Sequence, residues 1–320
     1  MARAASKTNS KSNAKSKPAT KSGSRSNART KARRTAVGKL QANVDATLRS
    51  PSYILAEEDV ALLKRDETRP IRLQLEYFKP ELALQEHRIR STIVIFGGTR
   101  IVEESQAREQ VRKLSAHLAR SPKNRDVRKR LEIAERILAK SRYYDEARRL
   151  GQVISRACQS DSHREMVVVT GGGPGIMEAA NRGAYEVGAK SIGLNITLPH
   201  EQEPNPYITP ELCFQFHYFA LRKFHFLLRA KGLVAFPGGF GTMDELFEAL
   251  TLLQTGKIKP LPVVLVGRQY WEGVVNFQTF VDEGTIRPED LGLFQFAETA
   301  EEVWGIICRF HHMDPVRPRL

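Results

Sequence analysis

Apolar residues in this chain gather into short, nearly uncharged runs separated by longer stretches of helical period. Thr92-Ile93-Val94-Ile95-Phe96, Met166-Val167-Val168-Val169-Thr170, residues 191–196, Leu233-Val234-Ala235-Phe236 and Pro262-Val263-Val264-Leu265-Val266 are the clearest runs. They read as strands buried on both faces. Helical patterns lie between them: 176–187, stopped by Gly188 at a C-cap position, then about 218–231, 243–254, 269–282 and 299–310. Strand, helix and strand within roughly 30 residues make a βαβ unit, which implies a parallel sheet. The repetition predicts an α/β fold with a doubly wound, Rossmann-like parallel sheet. Ligands of such sheets bind at the carboxyl ends of the strands.

Outside this core the pattern is helical and charged. Residues 104–142 read as a helical hairpin broken near Ser121-Pro122, and a further helix runs through 143–150. Two short helical patterns, 57–64 and 71–86, precede the first strand. The expected organisation is a disordered basic tail at 1–44, a helical extension at 45–90, and a Rossmann-like domain at 91–312 with its helical insertion at about 104–142.

Charge changes the reading of the tail rather than of the core. The 320 residues carry a formal +14, yet residues 1–44 hold 12 Lys or Arg and no acid, leaving 38 basic and 36 acidic residues in 45–320. A Ser-, Lys- and Arg-rich segment with almost nothing apolar cannot bury enough surface to offset ordering entropy, so it reads as disordered. It suits an inert solubilising tail, a weak arm for RNA or other polyanions, or an organelle transit peptide. The lack of interleaved aromatics weakens base stacking. Three cysteines without CxxC spacing argue against a disulfide framework and for a reducing, cytoplasmic setting. No run is long enough to span a bilayer, and no metal-ligand spacing occurs among the eight histidines. His311-His312 reads as a solvated helix end.

Two glycine-rich strand–helix turns carry the candidate chemistry. Gly171-Gly172-Gly173-Pro174-Gly175 permits close backbone approach and opens a helix whose first N–H groups can face an anion. It is not GxGxxG, because Ile176 stands where the third glycine belongs. Asn195, at the end of the next strand, stands where an acid would hold an NAD ribose. Nor is it a P-loop. Pro237-Gly238-Gly239-Phe240-Gly241-Thr242 repeats the geometry, suggesting two walls of one phosphate site. Thr242 and Glu245 also fit a capping box, a purely structural alternative for Glu245.

The segment Pro237-Gly238-Gly239-Phe240-Gly241-Thr242-Met243-Asp244-Glu245 resembles the PGGxGTxxE signature of the LONELY GUY (LOG) family, often labelled "lysine decarboxylase-like". The resemblance extends through Tyr218-Phe219-Ala220-Leu221-Arg222-Lys223, the first glycine turn with Met177-Glu178, and residues 248–255. It covers roughly 90–310. It implies hydrolysis of the N-glycosidic bond of a purine nucleoside 5′-monophosphate, AMP or a cytokinin riboside monophosphate, giving free base and ribose 5-phosphate. It implies Arg222 and Glu245 as catalytic residues and Gly238, Gly239, Gly241 and Thr242 as the phosphate loop. Gly171, Gly172, Gly173 and Gly175 read as the second wall of that nucleotide site, and Met177 and Glu178, in the first turn after it, as either ribose and base contacts or ordinary helix positions. The resemblance implies a homodimer or higher homo-oligomer, and no cofactor or metal is expected from the residues. Leu221 replaces the Glu that compact plant-type members carry there, and the chain is longer, so the extended bacterial branch is the better match.

On chemistry alone, Glu245 suits stabilisation of an oxocarbenium ion, kept ionised by its helix dipole. Arg222 suits an electrostatic clamp or a donor to the leaving base, because guanidinium keeps its protons. Without the resemblance, Arg222 also fits the solvated face of an amphipathic helix with Lys223, Arg229 and Lys231. His217 and His225 read as structural. Lysine decarboxylation would need pyridoxal phosphate on a lysine, and neither glycine loop contains one. A non-catalytic purine-nucleotide sensor could use the same cradle.

Overall fold

The computed structural model describes residues 23–160, 163–198 and 203–315. Among them, seven strands form one sheet: β1 (Thr92–Phe96), β2 (Val167–Thr170), β3 (Ser191–Ile196), β4 (Cys213–Phe216), β5 (Ala230–Ala235), β6 (Val263–Val266) and β7 (Phe294–Ala297). Their spatial order is β4-β3-β2-β1-β5-β6-β7, and every neighbouring pair is parallel. This is the α/β, doubly wound arrangement expected from the repeated βαβ pattern.

The helices are α1 (Gly23–Leu48), α2 (Val60–Leu63), α3 (Arg69–Glu86), α4 (Glu104–Arg120), α5 (Arg125–Leu138), α6 (Arg142–Cys158), α7 (Ile176–Glu186), α8 (Phe219–Leu228), α9 (Phe240–Gln254), α10 (Arg268–Val274), α11 (Phe277–Asp282) and α12 (Ala300–Phe310). Side chains alternate between the sheet's faces along each strand. Ile93 and Ile95 of β1 join Leu150, Ile154 and Ile307 from α6 and α12 in one buried cluster. Val94 and Phe96 join Leu84, Phe226, Leu246 and Trp271 from α3, α8, α9 and α10 in the other. The helices therefore cover both faces. α4 and α5 pack together, and Asn124 caps α5 by accepting from the Val127 N–H at 3.1 Å.

The structure departs from the sequence reading in several places. β4 and β7 have no counterpart in it. Both have four residues and lie at the sheet's two edges, where the buried run is too short to stand out. β5 begins at Ala230, and α8 ends at Leu228 rather than near 231. α9 begins at Phe240, three residues before the expected start. From Gly23 onward the expected disordered tail is helical, as α1, with every side chain from 27 to 49 exposed. Ala, Arg, Lys, Gln and Leu favour helical backbone by intrinsic propensity, which needs no apolar face. Residues 1–22 of the expected tail lie outside the described residues.

The chain divides into two compact units, residues 1–69 and 70–320. Nearly all of α3 thus groups with the sheet rather than with the helical extension. Among the described residues, no helix is long and apolar enough to cross a membrane, and no cluster of three His, Cys, Asp or Glu side chains could hold a metal ion.

Candidate functional site

The chain leaves β1 toward β2 on one side of the sheet and enters β5 on the other, so a crevice opens above the adjacent carboxyl ends of β1 and β5. Backbone hydrogen bonds continue past the strands. The Phe236 N–H donates to Phe96 O at 2.9 Å, the Gly98 N–H to Pro237 O at 2.8 Å, and the Ile176 N–H to Gly98 O at 3.3 Å. Three loops are thereby laced together around Gly98. Gly175 lies in the left-handed region with φ +72°, and a Cβ there would stand 2.4 Å from Gly98 O, so only glycine permits this approach.

The crevice is a cavity of about 320 Å³, within the range of small-molecule sites. Gly97, Gly98, Thr99, Gly171 and Gly173 line one part of it, and Gly239, Gly241 and Thr242 another. Met177, Asn195, Ile196, Leu198, Phe219 and Phe226 supply most of the remaining wall, and Arg222 and Glu245 face into it. The first N–H groups of a helix lack intrahelical partners. At α9 these belong to the turn that Gly239 caps and that Gly241 and Thr242 present to the cavity. The other glycine turn is braced from behind. The Gly172 N–H donates to Thr170 Oγ1, while Asn205 donates to Gly172 O through its backbone and to Gly173 O through Nδ2.

Arg222 and Glu245 meet across the cleft from α8 and α9. Arg222 Nη2 lies 3.6 Å from Glu245 Oε1, an ion-pair distance too long for a hydrogen bond. Only 14% of the Arg222 side chain and 7% of Glu245 is exposed. The guanidinium lies 5.0 Å from the Phe219 ring centre and 5.7 Å from that of Phe226. Its Nε is buried with no hydrogen-bond partner among the described residues. Burial pulls the Arg222 pKa down against the pull of Glu245 and Asp244. Burial also pushes Glu245 up to about 7, although Lys223 and Arg222 oppose it. The helix dipole therefore does not keep Glu245 firmly ionised: desolvation outweighs it. The capping-box alternative also fails, because α9 starts at Phe240 with Gly239 as its cap, which puts Thr242 inside the helix.

Of the residues singled out from sequence, Arg222, Glu245, Gly171, Gly173, Met177, Gly239, Gly241 and Thr242 share this cavity. Gly172, Gly175 and Gly238 shape it from behind. A Cβ on Gly172 would meet Asn195, and one on Gly238 would meet Thr242. The Gly238 carbonyl accepts from the Tyr270 hydroxyl. Glu178 lies elsewhere: it accepts from Tyr144 Oη at 3.0 Å in a separate polar cavity with Glu103 and Arg182. α7 turns that side chain outward while Met177 points in. The sequence reading missed Thr99, Phe219 and Phe226 as wall residues. Gly97-Gly98 after the first strand was the visible signal for the first of these. Asn195 lines the cavity and donates to Cys213 Sγ at 3.1 Å.

Residues 177–307 match the family described as "Possible lysine decarboxylase". Over these residues the chain is similar to that family. Its relatives include the cytokinin riboside 5′-monophosphate phosphoribohydrolase of Arabidopsis thaliana, 29% identical over 51% of this chain and 74% of that one. A rice relative (Oryza sativa subsp. japonica), named "Probable cytokinin riboside 5′-monophosphate phosphoribohydrolase", is 28% identical over 43% of this chain, and the match spans 65% of its length. The pyrimidine/purine nucleotide 5′-monophosphate nucleosidase of Escherichia coli K12 is 33% identical over 32% of this chain and 25% of its own. Among solved structures, the molybdenum cofactor carrier protein from Chlamydomonas reinhardtii aligns at 19% identity over 70% of this chain and 97% of that one, with a TM-score of 0.41.

The family's description would call for pyridoxal phosphate, whose aldehyde needs a lysine within reach. The cavity does not fit that group. None of the described residues lining it is a lysine. The nearest in sequence to Arg222, Lys223, is committed to Asp244 and Glu248.

Proposed function

We propose that the protein hydrolyses the N-glycosidic bond of a nucleoside 5′-monophosphate, releasing free base and ribose 5-phosphate. One observation carries this reading. A buried arginine with an unpartnered N–H and a buried carboxyl displaced to about 7 face each other across a glycine-lined cavity at the sheet's switch point. A structural ion pair would close that distance and satisfy that nitrogen. A pair held open suits an anionic ligand and a proton transfer. The names of the relatives, all nucleotide hydrolases, point the same way.

In this reading the substrate phosphate lies on the first turn of α9, against Gly239, Gly241 and Thr242, with Arg222 as the charge clamp. The bond from the anomeric carbon to the base breaks with its electron pair leaving on the base, and a water oxygen bonds to that carbon. Glu245 in its ionised form hydrogen-bonds the ribose, stabilises the oxocarbenium character and accepts the water's proton. That proton then passes to the departing base. A carboxyl near 7 can both take and release it. The base would rest against Met177, Ile196, Leu198 and Phe219, a mostly apolar wall with Asn195 as its polar group. Such a wall stacks a base more than it reads its edge, so purines such as adenine and cytokinins are the first candidates and pyrimidines belong in the same panel.

Chromatography of purified protein incubated with AMP, a cytokinin riboside monophosphate and pyrimidine monophosphates tests the reading. Release of free base that is lost in Glu245→Gln supports it. Tight binding of nucleotides that remain intact would replace it with the sensor function.

A further inference from the structure

Lys223 stands beside Arg222 but faces a different set of groups. Its ammonium lies 2.8 Å from Asp244 Oδ1 and 3.1 Å from Glu248 Oε2, and only 19% of its side chain is exposed. Asp244 and Glu248 are the residues one before and three after Glu245 on α9. One cation on α8 thus bridges the two carboxylates that bracket Glu245, while the adjacent Arg222 faces Glu245 itself. Without it, three carboxyl groups would share two turns of one helix, and like charges at that spacing oppose ionisation.

We infer that Lys223 is a positioning residue for Glu245: by holding Asp244 and Glu248 it fixes the second turn of α9 against α8 and keeps a neutralising charge beside the carboxyl in the cleft. The groups facing Glu245 are few. From α8 come Arg222 and Lys223, and from α9 come Asp244 and Glu248. The other described residues lining the cavity are not ionisable. Lys223 pulls Glu245 downward and the two neighbouring carboxylates push it upward. Partial burial pulls the Lys223 pKa down, but the ion pairs with Asp244 and Glu248 outweigh it, so Lys223 titrates above its ordinary range. It therefore stays charged wherever Glu245 titrates. Its removal takes away an attraction and leaves two repulsions, so the Glu245 carboxyl should hold its proton to higher pH.

The consequence for catalysis rests on the hydrolase reading above, so the primary readout is independent of activity. Carbon-13 NMR of the side-chain carboxyls in the full chain, with the Glu245 resonance assigned by its loss in Glu245→Gln, follows the titration directly. In Lys223→Met the Glu245 midpoint should rise by about one pH unit, and in Lys223→Arg it should stay at the wild-type value. Should Lys223→Met not fold, as thermal melting would show, Lys223→Gln carries the same expectation. An unshifted midpoint in the uncharged variant overturns the inference. If the wild type releases base, the acid limb of kcat should move upward by the same interval, with KM nearly unchanged and about a tenfold loss of kcat on that limb. A loss uniform across pH would mean that Lys223 serves only stability and would also overturn it. If the wild type releases no base, the hydrolase reading fails, and the NMR midpoint still decides the role of Lys223.

Discussion

Glu245 lies between opposing demands. Burial favours its neutral form, while Lys223 and Arg222 at 3.6 Å favour the ionised one, and the balance falls near pH 7. The folded state binds this proton more tightly than the unfolded chain does. The stability that follows is full below the ordinary value of 4.5 and is lost as pH rises through about 7. Activity runs the other way if the ionised form stabilises the transition state. We expect kcat for base release to fall about tenfold per unit below pH 7, and Glu245→Gln to lose about 10²–10⁴-fold in kcat at pH 8. A pH–rate profile of both proteins checks this, and a profile flat from pH 5 to 8 would exclude Glu245 as the titrating group. Gly238 gives a second prediction. A Cβ there would lie 2.1 Å from Thr242 Oγ1 and 2.6 Å from Thr242 Cβ, and a β-branched side chain in a helix has little room to turn. Gly238→Ala should lower stability by about 1–3 kcal/mol and weaken AMP binding, measured by thermal melting and calorimetry.

α8 carries Arg222 and Lys223, yet its own N-terminus has no side-chain cap. The cap comes from α3. Glu76 accepts from the backbone N–H of His217 at 2.7 Å and of Tyr218 at 3.1 Å. Arg72 Nε donates to Tyr218 Oη at 3.2 Å, and Arg229 pairs with Glu81 at the far end. His225 packs between these elements against Tyr77 and Phe216, and burial lowers its pKa despite Glu81. Glu76→Ala should therefore cost about 1–2 kcal/mol, seen as a melting point lower by a few degrees. It should also raise KM for monophosphates, because the helix holding Arg222 loses its anchor. The elements themselves were unevenly legible. The five central strands and the helices after the glycine turns announce themselves, because full burial makes their runs uniformly apolar. The edge strands β4 and β7 do not. Phe214 and Phe216 alternate with exposed Gln215, and half-exposed runs of four residues resemble loops. The Arg222–Glu245 pairing lay open only through the family resemblance, since 23 residues separate the two and nothing in their spacing brings α8 beside α9. The bracing of α8 by α3 was not legible either: Glu76 lies 141 residues from the N–H it caps.

At the scale of the molecule, charge and apolar surface lie in different places. The basic excess sits in residues 1–44, and 45–320 are nearly neutral. Within the unit from Pro70 onward, an apolar stripe runs along α3, where Ile71, Leu75, Phe78 and Leu82 recur at intervals of four, three and four residues, each 48–54% exposed. That period places them on one helical face. Phe224 and Leu228 of α8 are also exposed, and Tyr77 brings the two helices together, with its ring centre 5.2 Å from Phe78 and 6.0 Å from Phe224. Half-exposed, these six side chains together present on the order of 400–500 Å², within the range of the largest apolar patch on a monomer. A standard interface takes about 800 Å² from each partner, with an apolar centre and a polar rim. An apolar stripe on one helical face can meet its own copy across a two-fold axis, which makes every contact count twice. We expect a second copy of this chain to occupy this face. The full chain should sediment as a dimer at micromolar concentration, and Leu75→Glu with Phe78→Glu should sediment as a monomer with its fold intact by circular dichroism. A wild-type chain that sediments as a monomer at that concentration, or a double variant that remains dimeric, would remove α3 from the interface.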